Sequence, residues 1–404
     1  MSHSAPDDLA GRIERLADRL AESGDLADPR WRAALLAVPR HLFVPQRAWV
    51  SPNGPGEPHP VDRVADPGSW WDAVYDDTVL VTQFDDGAGE VTTGEGLPTS
   101  SNSAPGAVFA FLEQLWVHQG NRVLEIGTGT GWTAALLAHR LGEAAVTSVE
   151  IDPGVAARAR ENLDAAGYHP RLVVGDGAGG YPEGGPYDRV HVTCAVRHVP
   201  YAWVEQTRPG GTIVTPYSTG YGFGHLVRLA VAGEGRAVGR FLGPAGYMML
   251  RSQRPTAGPA VGAARHEEGE RSATGIDPRS IAWESDAADI AIGALAPGCQ
   301  YRLSPTGDGD GSEGWIFWLL ENAGHQGAWA KVVCRPGRAE FEVIQYGSRR
   351  LWDEVARAYL WWVGQGRPER GRFGITVSPG DQYVWLDHPR QALRPGHPFP
   401  GEQP

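Results

Sequence analysis

The run Val123-Leu124-Glu125-Ile126-Gly127-Thr128-Gly129-Thr130-Gly131-Trp132-Thr133-Ala134 decides the fold. A short apolar strand pattern passes into three glycines at alternate positions and then into the start of a helix. Alternate glycines let the backbone turn tightly and come close to a ligand where any Cβ would collide. The spacing is not that of a phosphate loop, which closes in Gly-Lys-Ser/Thr, nor the G-x-G-x-x-G of a dinucleotide site.

The charge at the strand end narrows the ligand. Glu125 disfavours an anionic pyrophosphate and suits a nucleoside that carries a positive sulfonium and an ammonium, which are the charges of S-adenosylmethionine. The candidate cofactor contacts in this run are Glu125, Gly127, Thr128, Gly129 and Gly131. A second strand pattern, residues 145–150, ends in Glu150 about 20 residues further on, where a parallel βαβ unit presents an acid to ribose hydroxyls. A third, residues 171–174, is closed by Gly175-Asp176-Gly177, and Asp176 with Gly177 is placed to meet an adenine amino group. Strand patterns at 188–193 and 212–215 continue the alternation with helices. Together they predict a doubly wound parallel sheet, the Rossmann-like fold of a class I S-adenosylmethionine-dependent methyltransferase.

Composition sets the outer limits. The 404 residues carry a net charge of −12, which gives no basic footprint for nucleic acid. Cys194, Cys299 and Cys334 are far apart without metal-ligand spacing, so no metal is expected, and they fit a reducing compartment. No apolar run approaches a membrane span, and the polar N-terminus does not read as a signal peptide. The expectation is a cytoplasmic protein with no membrane partner; the oligomeric state is open.

Five regions follow. Residues 1–100 hold helices, with Leu9, Ile13, Leu16 and Leu20 at helical spacing and a second helix from Trp31 to Val38, together with Pro/Gly-rich stretches at 51–68 and 85–103 that read as substrate-side loops. Residues 101–250 form the cofactor-binding domain. Residues 251–278, poor in large apolar side chains, read as a linker or insertion. Residues 279–388 read as a C-terminal α+β domain, with strand patterns at 315–320, 328–334 and 341–346, a helix carrying Leu351, Trp352, Val355, Tyr359 and Trp362, and a last hairpin around Pro379-Gly380-Asp381. Residues 389–404 read as a loose tail. Eight of the 15 tryptophans follow residue 280; core packing is the simplest use of them, and a peptide-binding face is the other.

The stretch Val173-Val174-Gly175-Asp176-Gly177, continued by Gly180-Tyr181, Pro186-Tyr187-Asp188, His191-Val192, Val199-Pro200 and Pro209-Gly210-Gly211, resembles the protein-L-isoaspartate O-methyltransferase family. The N-terminal run Val38-Pro39-Arg40-His41-Leu42-Phe43-Val44-Pro45 is similar to that family's own opening signature. The resemblance covers about residues 10–250 and implies esterification of an isoaspartyl or D-aspartyl carboxylate, the ester then collapsing to a succinimide. S-adenosyl-L-homocysteine would be the product of the cofactor. The family's active-site segment Thr-Ile-Ser-x-Pro is matched by Ser101-Asn102-Ser103-Ala104-Pro105. The resemblance thus carries to Ser103 the role of hydrogen-bonding the substrate carboxylate, with Ser101 beside it in place of the threonine. Asn102 departs from the family's isoleucine, which bears on the choice of substrate. Without the resemblance, these serines would read as a flexible loop with a helix N-cap.

The resemblance also implies which extra recognition to expect. Long relatives carry a C-terminal domain with a Leu-Trp-Asp-Glu-x-x-x-Ala-Tyr signature, matched by Leu351-Trp352-Asp353-Glu354 and Ala358-Tyr359. Those relatives esterify an ordinary aspartate in a cyclised, ribosomally made peptide of the lanthipeptide or graspetide kind, giving aspartimide or isoaspartate. Three other readings stand beside this one: repair of L-isoaspartyl residues in damaged proteins, nucleic-acid methylation and non-catalytic cofactor binding. Amino-directed nucleic-acid enzymes place Asn/Asp-Pro-Pro-Tyr after the fourth strand, where this chain has Thr193-Cys194-Ala195-Val196. A non-catalytic binder would be expected to lose Glu125, the glycines or Asp176. His41, His191 and His198 are available as bases, but an ionised carboxylate needs none.

Overall fold

Two helices open the chain because their apolar residues share one face. The computed structural model describes residues 8–254, 269–283, 286–306, 314–322, 327–335 and 337–396. In α1 (Leu9–Ser23) the buried face is Ile13, Leu16, Ala17 and Leu20, and Gly24 closes the helix in the left-handed region. In α2 (Pro29–Ala37) the Asp28 side chain accepts from the Arg30 amide and Pro29 takes the first turn. Next comes a sheet that takes in parts of the expected loops, 51–52, 59–62 and 98–102, and leaves most of the rest as connections. Strands β1 (Arg47–Pro52), β2 (His59–Asp62), β3 (Thr78–Phe84) and β4 (Pro98–Asn102) pair antiparallel in the order β2-β1-β3-β4, with α3 (Pro67–Val74) between β2 and β3. Two of the prolines in 51–68 and 85–103 lie on the edge strands, Pro60 in β2 and Pro98 in β4, where a missing N–H is tolerated.

The cofactor-binding sheet forms as expected and then continues. Its elements are α4 (Pro105–Leu115), β5 (Val123–Ile126), α5 (Trp132–Leu141), β6 (Val146–Glu150), α6 (Pro153–Ala166), β7 (Arg171–Val174), β8 (Tyr187–Val192), α7 (Tyr201–Glu205), β9 (Thr207–Ser218), β10 (Gly224–Ala232) and β11 (Arg236–Pro244). The strands β7-β6-β5-β8-β9 are parallel neighbours, and β10 and β11 add on antiparallel. All residues of β5 and β8 are buried, as strands covered on both faces must be. Val123, Val146 and Val214 face a core shared with α1, α2, α4 and α5. Leu124, Ile126, Val190 and Val192 face the opposite core, where Trp203 of α7 packs.

That second core also holds the C-terminal region. Elements β12 (Glu270–Thr274), α8 (Pro278–Trp283), α9 (Asp286–Leu295), β13 (Cys299–Pro305), β14 (Trp315–Glu321), β15 (Trp329–Cys334), β16 (Phe341–Tyr346) and α10 (Leu351–Gly364) follow, with a five-stranded antiparallel sheet in the order β12-β16-β15-β14-β13. Phe317, Trp352 and Val355 pack in the same cluster as Val190 and Trp203. The last hairpin, β17 (Phe373–Ser378) and β18 (Asp381–Leu386), does not belong to this sheet: β17 pairs with β11 and extends the cofactor-binding sheet to nine strands. A buried polar joint fixes the docking. Asp289 of α9 accepts from Thr219 Oγ1 at 2.6 Å and from the Phe223 amide at 2.9 Å, and meets His225 Nε2 of β10 at 3.1 Å.

The region boundaries therefore differ from the sequence expectation in two places. Strand β12 lies within the stretch 251–278 read as a linker, and the hairpin assigned to the C-terminal domain completes the sheet before it. Residues 255–268 of that linker and 397–404 of the expected tail lie outside the described residues. Trp318, Trp329, Trp352, Trp361, Trp362 and Trp385 are buried, so core packing accounts for them.

Candidate active site

The glycine run builds one wall of a cavity of about 780 Å³. Gly127, Gly129 and Gly131 take φ of 91°, 55° and 92°, conformations that disfavour any side chain. A Cβ on Gly127 would fall 2.5 Å from Thr193 Oγ1, and one on Gly129 would lie 3.3 Å from the Ser101 carbonyl. The loop is pinned at both ends. The Gly127 amide donates to Val149 O at 2.8 Å, and Thr193 Oγ1 donates to Gly127 O at 2.5 Å. The Gly129 amide donates to Glu150 Oε2 at 2.9 Å, so the acid at the end of β6 sits directly against the loop.

The opposite wall is the serine segment. Strand β4 runs antiparallel to β3 with Ser101 opposite Val81, so Ser101 and Asn102 belong to a strand, and Ser103 follows it just before α4. The Ala104 cap of α4 makes no side-chain hydrogen bond; Asp77 instead accepts from the Gly106 amide at 2.7 Å. Ser101 and Ser103, two residues apart, both line the cavity. The residue between them has its side chain engaged inside the protein. Asn102 Oδ1 accepts from Arg40 Nε at 2.6 Å, and its amide donates to Thr130 Oγ1 at 2.9 Å.

Arg40 is fully buried and holds this wall from behind. Besides Asn102 Oδ1, its guanidinium donates to the carbonyls of Val74, Asp76, Thr78, Asn102 and Ser103. Burial pulls it down to about 9, with Asp77, Tyr75 and Asp76 acting in the other direction. It stays charged at neutral pH and fastens β4 to the turn after α3.

The expected cofactor residues divide into wall and foundation. Gly127, Thr128, Gly129, Glu150 and Gly177 line the cavity. Gly131 starts α5 and packs against Leu163 and Ala159 of α6. Asp176 does not line the cavity; it precedes Gly177, and its side chain accepts from the Ala178 amide at 2.9 Å. Glu125 corrects the electrostatic reading. It is fully buried beneath the loop, accepts from Ser148 Oγ at 2.5 Å, and is pushed up to about 8 by burial despite that bond. It therefore supports the loop through the Ser148–Thr128 contact of 2.6 Å and does not present a charge to the cavity.

The region that contains these walls is similar to proteins of known family. The family described as protein-L-isoaspartate(D-aspartate) O-methyltransferase matches residues 67–254. The protein-L-isoaspartate O-methyltransferase of Ignicoccus hospitalis is 34% identical over 219 residues, covering 54% of this chain and 86% of that protein. That of Methanoculleus marisnigri is 37% identical over 204 residues, covering 50% and 76%. The chain belongs to the protein-L-isoaspartate O-methyltransferase family. A solved structure of that name shares the fold with a TM-score of 0.52 at 20% identity, across 93% of this chain and all of the other.

As a member of this family the chain is an S-adenosylmethionine-dependent carboxyl O-methyltransferase. The residues present fit that cofactor. The loop offers glycine backbone and no lysine for a phosphate, Glu150 stands at the strand end for hydroxyls, and the volume lies within the ~300–1,000 Å³ usual for small-molecule sites. Arg251 and Arg254 also line the cavity, but Arg251 pairs with Asp86 and Asp152, and Arg254 with Asp86. Their charge is thereby offset at the cavity edge.

Some of the site was not assigned from sequence. Arg40 lies in the quoted family signature, yet nothing in the signature told its role. Tyr247 lines the cavity, shares a side-chain hydrogen bond with Ser103, and has its hydroxyl pushed up by burial. Thr193 and Cys194 follow β8 at the cavity floor; burial pushes the Cys194 thiol up to about 12, with Glu150 and Asp176 adding to the effect, so it is no thiolate nucleophile. Among the described residues no group of three or more His, Cys, Asp or Glu side chains could hold a metal. None of their helices is long and apolar enough to cross a membrane.

Proposed function

We propose that this methyltransferase esterifies the carboxylate of an aspartyl or isoaspartyl residue in a peptide or protein, at the Ser103 end of the cavity. The observation that carries the reading is Ser103 itself, facing the glycine loop across the cavity with its carbonyl clamped by Arg40 and its side chain on Tyr247. S-adenosylmethionine supplies an activated methyl group on a sulfonium. An ionised carboxylate is nucleophile enough, so the protein's work is alignment and exclusion of water. The Ser103 hydroxyl orients one carboxylate oxygen without a salt bridge that would blunt its attack. Ser103 follows directly on β4, whose Ser101 carbonyl lies so near the loop that a Cβ on Gly129 would come within 3.3 Å of it.

The finer reading is that the substrate is an ordinary aspartate in a cyclised, ribosomally made peptide, with aspartimide or isoaspartate as the later product. It rests on the signature Leu351-Trp352-Asp353-Glu354 with Ala358 and Tyr359, and on the C-terminal α+β region. No described residue after Arg254 lines the cavity, so recognition by that region would act at a distance from the reacting carboxylate. The second reading, repair of L-isoaspartyl residues in damaged proteins, is favoured by the shared names of the relatives and by a likeness that extends across 93% of the chain, the C-terminal region included. The Asn102 departure weighs for neither, because its side chain serves Arg40 and Thr130. Methyl transfer from labelled S-adenosylmethionine to a linear isoaspartyl peptide and to its aspartyl twin tests the shared claim; no ester on any aspartyl or isoaspartyl peptide, linear or cyclised, would refute it.

A further inference from the structure

The cavity has an inner end that the carboxylate chemistry leaves unused, and a histidine lines it. His191 lies in β8, directly opposite Glu125 of β5 on one side and Val214 of β9 on the other. It is 2% exposed, lines the cavity, and neither ring nitrogen has a partner. Phe111 of α4 stands edge-on to it with ring centroids 6.4 Å apart, and Tyr247 packs on Phe111 at 5.0 Å. Tyr247 in turn bonds Ser103. One aromatic-walled compartment thus joins the serine proposed for the carboxylate to an imidazole with both nitrogens free.

Leaving a buried polar group unpaired costs about 1–3 kcal/mol, and an apolar residue would fill this strand position without that cost. Such a group at a cavity wall marks a place where a ligand completes the bonding. Burial pulls His191 down to about 4, so at neutral pH it offers one N–H donor and one acceptor. The two nitrogens point apart, so a single neutral amide engages one of them, through its N–H or its C=O. The pair does not complement a second carboxylate, which would call for a cation.

We propose that His191 is a specificity residue that hydrogen-bonds the backbone amide adjoining the esterified carboxylate of the peptide. The inference rests on the carboxylate reading above. It gives the enzyme a way to require a peptide rather than a free dicarboxylic acid, because the free acid lacks the amide. It also gives Tyr247 a place as the wall between the two contacts.

The test uses the full chain, the variants His191→Phe and His191→Gln, and isoaspartyl and aspartyl peptides with the flanking amides either intact or N-methylated. The expected result is a KM for the peptide raised about tenfold in His191→Phe, one hydrogen bond's worth at 1.4 kcal/mol per decade, with kcat and the Kd for S-adenosylmethionine near wild type. His191→Gln, which keeps a donor and an acceptor, recovers most of the KM. N-methylation of one flanking amide weakens binding to the wild type and has no further effect on His191→Phe. An unchanged KM in His191→Phe, or an equal N-methyl penalty in both proteins, would overturn the assignment. A wild type inactive on every peptide would instead remove the carboxylate reading, and this inference with it.

Discussion

Arg40 Nε donates to Asn102 Oδ1 at 2.6 Å, and both side chains are buried. A cation from the N-terminal signature thereby grips the residue between the two cavity serines. The grip explains how a short edge strand with no hydrophobic anchor of its own can hold Ser101, and Ser103 just past its end, in place.

Replacing Arg40 by methionine should therefore cost about 3 kcal/mol or more, because five carbonyls and the Asn102 side chain lose their donor together. Lysine should not rescue, since its three donors cannot reach six acceptors. Asn102→Ile, the family's own residue, should cost ~1–3 kcal/mol here and leave substrate choice as it is. Urea denaturation followed by activity on paired peptides checks both; a shift in substrate preference without loss of stability would mean Asn102 reads the substrate.

Ser103→Ala should lower kcat about tenfold to a hundredfold, the value of one well-placed hydrogen bond in a closed site. Its Kd for S-adenosylmethionine should stay near wild type. Calorimetric titration of the cofactor separates the cases: loss of cofactor affinity together with turnover would make the segment structural.

Gly127→Ala should abolish cofactor binding more completely than Ser103→Ala touches it. The added Cβ meets Thr193 Oγ1 at 2.5 Å and sits on a backbone at φ 91°. The double variant Gly127→Ala/Thr193→Ala relieves the clash and leaves the backbone strain, so only partial recovery in the same titration is expected.

Glu125 makes a pH prediction with a definite sign. Its folded-state pKa of about 8 lies above the ordinary 4.5 because of burial, so the folded protein keeps a proton that the unfolded chain gives up. Its contribution to stability is full below pH 4.5 and is lost as pH rises towards 8. Glu125→Gln, which mimics the protonated acid, should gain on the wild type across that window, by an amount on the order of a few kcal/mol at the alkaline end. Denaturation midpoints of both proteins at pH 5, 6.5 and 8 give the difference; a constant gap would show that Glu125 is ionised throughout.

The parallel sheet and the glycine wall were legible because backbone constraint leaves a direct mark in sequence: a positive φ calls for glycine, and a strand buried on both faces reads as an apolar run. The β10–β11 hairpin was missed although Val227 to Ala232 alternates in burial, because it adds antiparallel strands beyond the βαβ units, which end at β9. Strands β2 and β4 were hidden by proline at edge positions. Residues such as Arg40, Tyr247 and His191 could not be assigned, since what they do depends on partners far along the chain, 62 residues apart in the Arg40–Asn102 bond. Glu125 was misjudged for a related reason: its sign of charge is plain in the sequence, but its burial is not.

The central claim is best tested by mass spectrometry of the protein with S-adenosylmethionine and two substrates side by side, a linear isoaspartyl peptide and a cyclised ribosomally made precursor containing ordinary aspartate. A methyl ester is expected on an aspartyl-type carboxylate in at least one of them, followed by loss of methanol to the imide. An ester on the cyclised peptide alone identifies the tailoring reaction, and one on the linear isoaspartyl peptide identifies repair. Methylation of any other group, or no methylation of either peptide with cofactor bound, would contradict it.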